Sequence, residues 1–309
     1  MNSPIADLTY RQYDGPKSLP ALRWWVVARH GIRVAMRKKG FWVLASCAMI
    51  PSFLLFVFSY IRSTIEANPN IGRNARLIDS LPNFDELYAG VYGSWYWVFF
   101  LSLLLGAGVI AADNRANALQ VYLSKPITKA DYLIGKWMSV FIPVYLVGLA
   151  PLLISVLYGM FSIGVSDFFP LYGSLLPKTF ILPAIPAIVH SSCLIGVSAL
   201  TKNPWVAGVS YTAVYVFANS AAFILYQTLR HGPARLSAEA AEFIRSLSIQ
   251  GAISGIGFDL VGAMPRDIAQ ARVRPSVEWE PLAIMLFLVC VLGLFIAYRR
   301  IRAVEVIQG

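Results

Sequence analysis

Long apolar blocks alternate with short polar ones along nearly the whole 309-residue chain. Six blocks, at about 41–61, 94–112, 137–161, 180–200, 205–226 and 281–298, contain no Asp, Glu, Lys or Arg. As helices rising 1.5 Å per residue, they match a hydrocarbon core about 30 Å thick. The pattern predicts an all-α integral membrane protein with six transmembrane helices. Prolines fall inside several blocks (Pro51, Pro143, Pro151, Pro183, Pro186), and Pro51 is expected to kink the first span.

Between residues 22 and 39 the pattern changes from uniform to amphipathic. At 100° per residue, Arg23, Arg29, His30, Arg33 and Arg37 share about a third of the helical wheel. Trp24, Trp25, Ala28, Ile32, Ala35 and Met36 take the other side. Such a helix is suited to the headgroup plane, so residues 1–40 read as an irregular start, without a cleavable signal, followed by an interfacial helix. Residues 41–309 read as one membrane domain.

The polar segments differ in length. The longest, 228–280, contains an apolar stretch over 251–264 that is too short to cross, and a helix that Ser237 can cap. A 24-residue island at 113–136 carries four basic and two acidic side chains, so it belongs in water at a membrane surface. Residues 117–123 favour helix, Pro126 cannot continue one, and Lys125 before it is pushed from helical dihedrals. Thr128 stands three residues before Asp131, which predicts a capped helix starting near Lys129 and running into the third span.

Charge placement orients the whole. With both termini cytoplasmic, the inner segments hold 16 basic against 5 acidic residues, and the outer ones 10 against 11. This is the sense of the positive-inside rule. Composition agrees with a membrane protein: 57% hydrophobic, 14% charged, mean hydropathy +0.62, where soluble domains carry about 25% charge. The net charge of +10 is therefore explained by topology, and no nucleic acid need be invoked. Cys47, Cys193 and Cys290 lie in separate apolar blocks, without metal-ligand or disulfide spacing.

The string LSKPITKADYLIGK (123–136), with Asp113 thirteen residues before the proline, resembles the first cytoplasmic loop of type-2 ATP-binding-cassette (ABC) permeases. In that family an acid, a Gly-Thr pair, a leucine-rich run, Ser-Arg-Pro, a hydroxyl, a base and Tyr-Leu-x-Gly-Lys follow one another. Matched residue by residue, Asp113 is the acid, Ser124, Lys125 and Pro126 the corner, Thr128 and Lys129 the hydroxyl and base, and Tyr132, Gly135 and Lys136 the closing signature. Asn117 and Ala118 depart from Gly-Thr, and Lys125 from arginine.

The resemblance implies a permease subunit, an exporter by family habit, at the plasma or inner membrane. It also implies a partner ATPase holding ATP and Mg, a second permease subunit, homo- or heterodimeric, and a surrounding of membrane lipid. The 22–39 helix would be the family's elbow. Asp113, Arg115, Gln120, Lys125 and Lys129 would make polar contacts or hold the corner, Tyr132 would pack it at the interface, Asn117 and Asp131 would belong to the same coupling loop, and a helix over 114–123 would take the push.

The chain has no Gly-x-x-x-x-Gly-Lys-Ser/Thr loop, and Gly135-Lys136 lacks the upstream glycine and following hydroxyl. It has neither a Gly-x-Ser-x-Gly elbow nor a His-Glu-x-x-His pair. No cofactor is expected in this chain, no catalytic or metal site, and no enzymatic activity of its own. The alternative function is a membrane scaffold or assembly factor docking a non-ATPase partner through 113–136. His190, Ser191, Ser192 and Asn219 sit inside spans, where polar groups face other helices or a cavity, and are candidates for a translocation path.

Overall fold

Helices account for every regular element in the described parts of the computed structural model, which are residues 22–67, 81–94, 96–118, 127–231, 236–263 and 278–301. In chain order they are α1 (Arg23–Met36), α2 (Lys39–Cys47), α3 (Ile50–Ala67), α4 (Phe84–Gly93), α5 (Tyr96–Gly106), α6 (Ala111–Arg115) and α7 (Lys129–Ile163). There follow α8 (Val165–Tyr172), α9 (Leu175–Ile181), α10 (Ala184–Ala199), α11 (Pro204–His231), α12 (Ala238–Ser246), α13 (Ile249–Val261) and α14 (Trp279–Arg300).

Taken with their continuations, these give six helices long and apolar enough to cross a membrane: Lys39–Ala67, Phe84–Arg115, Lys129–Ile163, Leu175–Ala199, Pro204–Arg230 and Trp279–Arg300. Six were expected. The second begins at Phe84, ten residues before the apolar block does. Its start carries Asp85 and Glu86 in the first turn, where acids are favoured, and the Glu86 carboxylate accepts the Asn83 N–H at 2.9 Å.

Proline shapes the first span. Helix stops at Cys47 and restarts at Ile50, because the ring of Pro51 obstructs the carbonyl four residues back and offers it no N–H. In α7, by contrast, Pro143 and Pro151 sit inside a continuous 35-residue helix. The Pro151 carbonyl accepts hydroxyls from Ser155 of its own helix and Ser52 of the first span, both at 2.8 Å. That carbonyl thus becomes a helix–helix tie.

Between α10 and α14 the bundle packs backbone against backbone. A Cβ on Gly196 would lie 2.7 Å from the Gly293 carbonyl oxygen, so these backbones touch and only glycine fits. Phe99 stacks on Tyr215 at 4.3 Å between ring centroids, inside the largest core cluster. The Tyr92 hydroxyl donates to the Ile253 carbonyl at 2.8 Å, fixing the short helix α13 to the second span. That helix is 13 residues long and caps the bundle without crossing. Large apolar side chains on the outside, such as Trp42, Phe217 and Phe287, are what a lipid-facing surface requires.

Candidate functional site

The 113–136 corner joins the second and third spans, and its described residues converge. Thr128 caps α7: its Oγ accepts the Asp131 N–H at 3.1 Å while the Asp131 carboxylate accepts the Thr128 N–H, also at 3.1 Å. This is the capping box expected from spacing. One turn on, the buried Tyr132 hydroxyl donates to Asp113 Oδ2 at 2.6 Å, and the Lys136 ammonium meets the same oxygen at 2.6 Å. The ammonium also lies 5.5 Å from the Tyr132 ring centroid, a cation–π distance.

Asp113 and Lys136 side chains are only 16% and 13% exposed. A carboxylate so placed is held by charge-assisted bonds rather than by water. Asp113 at one end of the motif therefore forms one cluster with Tyr132 and Lys136 at the other, which ties the end of the second span to the first turns of the third.

The neighbouring contacts came without warning from sequence. The Ser198 hydroxyl donates to the Ala107 carbonyl at 2.9 Å and accepts from the N–H groups of Ile110 and Ala111 at 3.1 and 2.9 Å. It thereby satisfies the backbone where the second span breaks between α5 and α6. The Asn114 amide reaches the carbonyls of Ala199 and Thr201 at 3.4 and 3.3 Å. A serine and an asparagine at helix ends carry no signal in sequence that distinguishes these roles.

Asn117 has φ of +51°. This left-handed position ends α6, and asparagine tolerates it better than most residues do. It matches the place of a glycine in the resembled loop, and it corrects the expected helix over 114–123: none can run unbroken through Asn117. Arg115, Asn117, Thr128 and Lys129 are exposed. Gln120, Ser124, Lys125 and Pro126 lie outside the described residues.

Gly135 has a steric reason. A Cβ there would stand 2.6 Å from Val27 Cβ and 2.7 Å from the Trp24 carbonyl oxygen, so α1 rests its backbone on α7. One turn further, a Cβ on Gly31 would collide with Ser139. The buried stripe of α1 is consequently Val27, Ala28 and Ala35, while Trp25 and Met36 are exposed, as side chains set in the headgroup plane would be. Arg29, Arg33 and Arg37 are exposed, and Arg23 is half-buried.

His190, Ser191 and Ser192 are fully buried in α10. His190 Nδ1 and the Tyr211 hydroxyl share a hydrogen bond of 2.7 Å, and Ser192 accepts from the Trp137 indole N–H at 3.0 Å. Asn219 lies two turns beyond Tyr211 on α11. None of these four lines the large open groove, of about 1170 Å³, which lies between α1 and the first, second, third and fifth spans.

Six helices long and apolar enough to cross a membrane define a multi-pass membrane protein. The chain belongs to the ABC-2 family transporter proteins, whose family model matches residues 25–301. It is a permease component of an ABC transporter, and that family implies association with an ABC ATPase subunit. No curated protein matches the chain.

Proposed function

We propose that this chain is the membrane subunit of an exporter in the plasma or inner membrane, with both termini cytoplasmic, and that a separate ATPase docks on the 113–136 corner. The observation that carries this reading is mechanical continuity. The Thr128 cap starts a helix that continues unbroken into the third span, and Asp113 is bound to Tyr132 and Lys136 of that helix. A push on the corner would then tilt the second and third spans together, instead of being absorbed by a slack loop.

In this scheme ATP and Mg reside on the ATPase, and two permease subunits alternate around a shared path. Arg115, Asn117, Gln120, Ser124, Lys125, Pro126 and Lys129 form the contact surface. Thr128, Asp131, Tyr132, Gly135 and Lys136 with Asp113 keep it rigid. The elbow helix, through Arg29, Arg33 and Arg37, borders the ATPase and the headgroups, with Arg23 at its root.

Affinity purification of the full chain tests the reading. An ATPase with a phosphate loop should be recovered in equal amounts, and Pro126→Leu with Lys125→Glu should leave hydrolysis but abolish transport in reconstituted vesicles. Recovery of a stoichiometric partner without ATP-binding ability would instead identify a scaffold.

A further inference from the structure

The groove beside α1 has a chemistry that neither packing nor the corner explains. Its volume of about 1170 Å³ exceeds the roughly 300–1,000 Å³ usual for small-molecule pockets. Its walls are apolar, with Leu44 of the first span, Phe100, Leu103 and Leu104 of the second, and Val209 and Val216 of the fifth.

Its charged members are Lys38, Asp113 and Lys136, and the His30 imidazole lies among them. Asp113 and Lys136 stand at the corner and Lys38 just before the start of the first span, whereas Val216 lies about three turns along the fifth span from its start at Pro204. Asp113 is already matched by Lys136 and Tyr132. Lys38 donates to the Leu104 carbonyl at 3.0 Å and has no acidic partner among the described residues. Its ammonium has three donors, so capacity for an anion remains.

Trp205 and Val209 on the fifth span are 82% and 63% exposed, so the groove opens sideways toward the region that lipid fills. A space apolar in depth, cationic at one end and open to hydrocarbon is complementary to an anionic amphiphile.

We propose that this groove binds an anionic phospholipid from the leaflet on the corner side, with its phosphate at Lys38 and an acyl chain along Leu104, Val209 and Val216. The occupant would lie against the Asp113–Lys136 pair, placing the surrounding lipid in contact with the corner itself. The site requires only that the chain spans a membrane, so it stands apart from the proposed ATPase docking.

Native mass spectrometry of the purified full chain, titrated with dioleoylphosphatidylglycerol or dioleoylphosphatidylcholine and with no ATPase present, tests the site. Phosphatidylglycerol should bind at least tenfold more tightly than phosphatidylcholine, and Lys38→Gln should reduce that preference to within about twofold. Ala213→Trp, at an exposed residue lining the groove, should remove binding of both lipids at unchanged thermal stability. An unaltered preference in Lys38→Gln, or unaltered binding in Ala213→Trp, overturns the proposal. So does disulfide-linked dimer formation by Ala213→Cys in native membranes, which would show a second copy of the chain filling the groove. Because binding is read without nucleotide, its failure would leave the permease reading intact.

Discussion

Asp113 and Lys136 meet at 2.6 Å across the corner that separates the second span from the third. Neither is deeply enough placed to be a lipid-buried charge, nor exposed enough to be an ordinary surface pair. An ion pair with both side chains mostly covered is costly to break from one side, because the remaining charge loses its partner while still shielded from water.

Removing one member should therefore cost more than removing both. Asp113→Asn is expected to lower stability by about 2 kcal/mol, and Lys136→Met similarly, whereas the double variant should recover at least half of the combined loss. Thermal unfolding of the four proteins in one detergent gives the coupling directly. Additive losses would mean that the pair contributes nothing beyond its separate hydrogen bonds.

Gly135 allows α1 to sit on α7. Gly135→Leu should drive the helix off, and even Gly135→Ala places a methyl against Val27 and the Trp24 carbonyl. A destabilisation of about 1–3 kcal/mol is expected for Ala, accompanied by new protease cleavage within 23–36. Val27→Ala in the same chain should restore part of the protection, since it removes one of the two colliding groups.

Thr128 supports the start of the third span through its hydroxyl, which accepts the Asp131 N–H at 3.1 Å and donates to the Asp131 carboxylate at 2.8 Å. Thr128→Ala should cost about 1 kcal/mol, while Thr128→Ser should be nearly neutral. Hydrogen exchange at the amides of 129–132 should accelerate in the alanine variant alone. Equal exchange in all three proteins would show that the cap does not hold this turn.

Ser198 satisfies three backbone groups where the second span breaks. Ser198→Ala leaves the Ile110 and Ala111 N–H groups without their partner in a buried place, a loss of about 1–3 kcal/mol per group at most. Ser198→Thr keeps the hydroxyl but must find room for a methyl in a fully buried site. The alanine variant should therefore melt lower than wild type, and a melting temperature unchanged within error would remove Ser198 from the account.

Much of this architecture is legible in the chain because its main determinants are local. Uncharged blocks of membrane length mark the six spans, Thr128 and Asp131 announce their own cap, and Ser237 does the same for α12, accepting the Ala240 N–H at 3.2 Å. The early start of the second span had a signal as well. Asn83, Asp85 and Glu86 form a helix-opening pattern, but their polarity makes the stretch resemble loop.

What joins separate elements is less visible. The approach of Gly196 to Gly293, the reach of Ser198 and the seating of Gly135 on Val27 depend on which helices become neighbours, and a single helix's periodicity does not encode that. The same applies to the groove, whose lining comes from five parts of the chain. The wheel of α1 separates charge from hydrocarbon, but it does not say which apolar residues are packed: that stripe is set by where Gly135 and Ser139 let a backbone approach.

The central claim is that the corner faces the cytoplasm and receives an ATPase. Lys129→Cys, exposed beside the Thr128 cap, should react with a membrane-impermeant maleimide in inverted membrane vesicles but not in intact cells, and bound ATPase should slow that reaction at least tenfold. Labelling from the outside of intact cells, or a rate indifferent to the ATPase, would contradict the account.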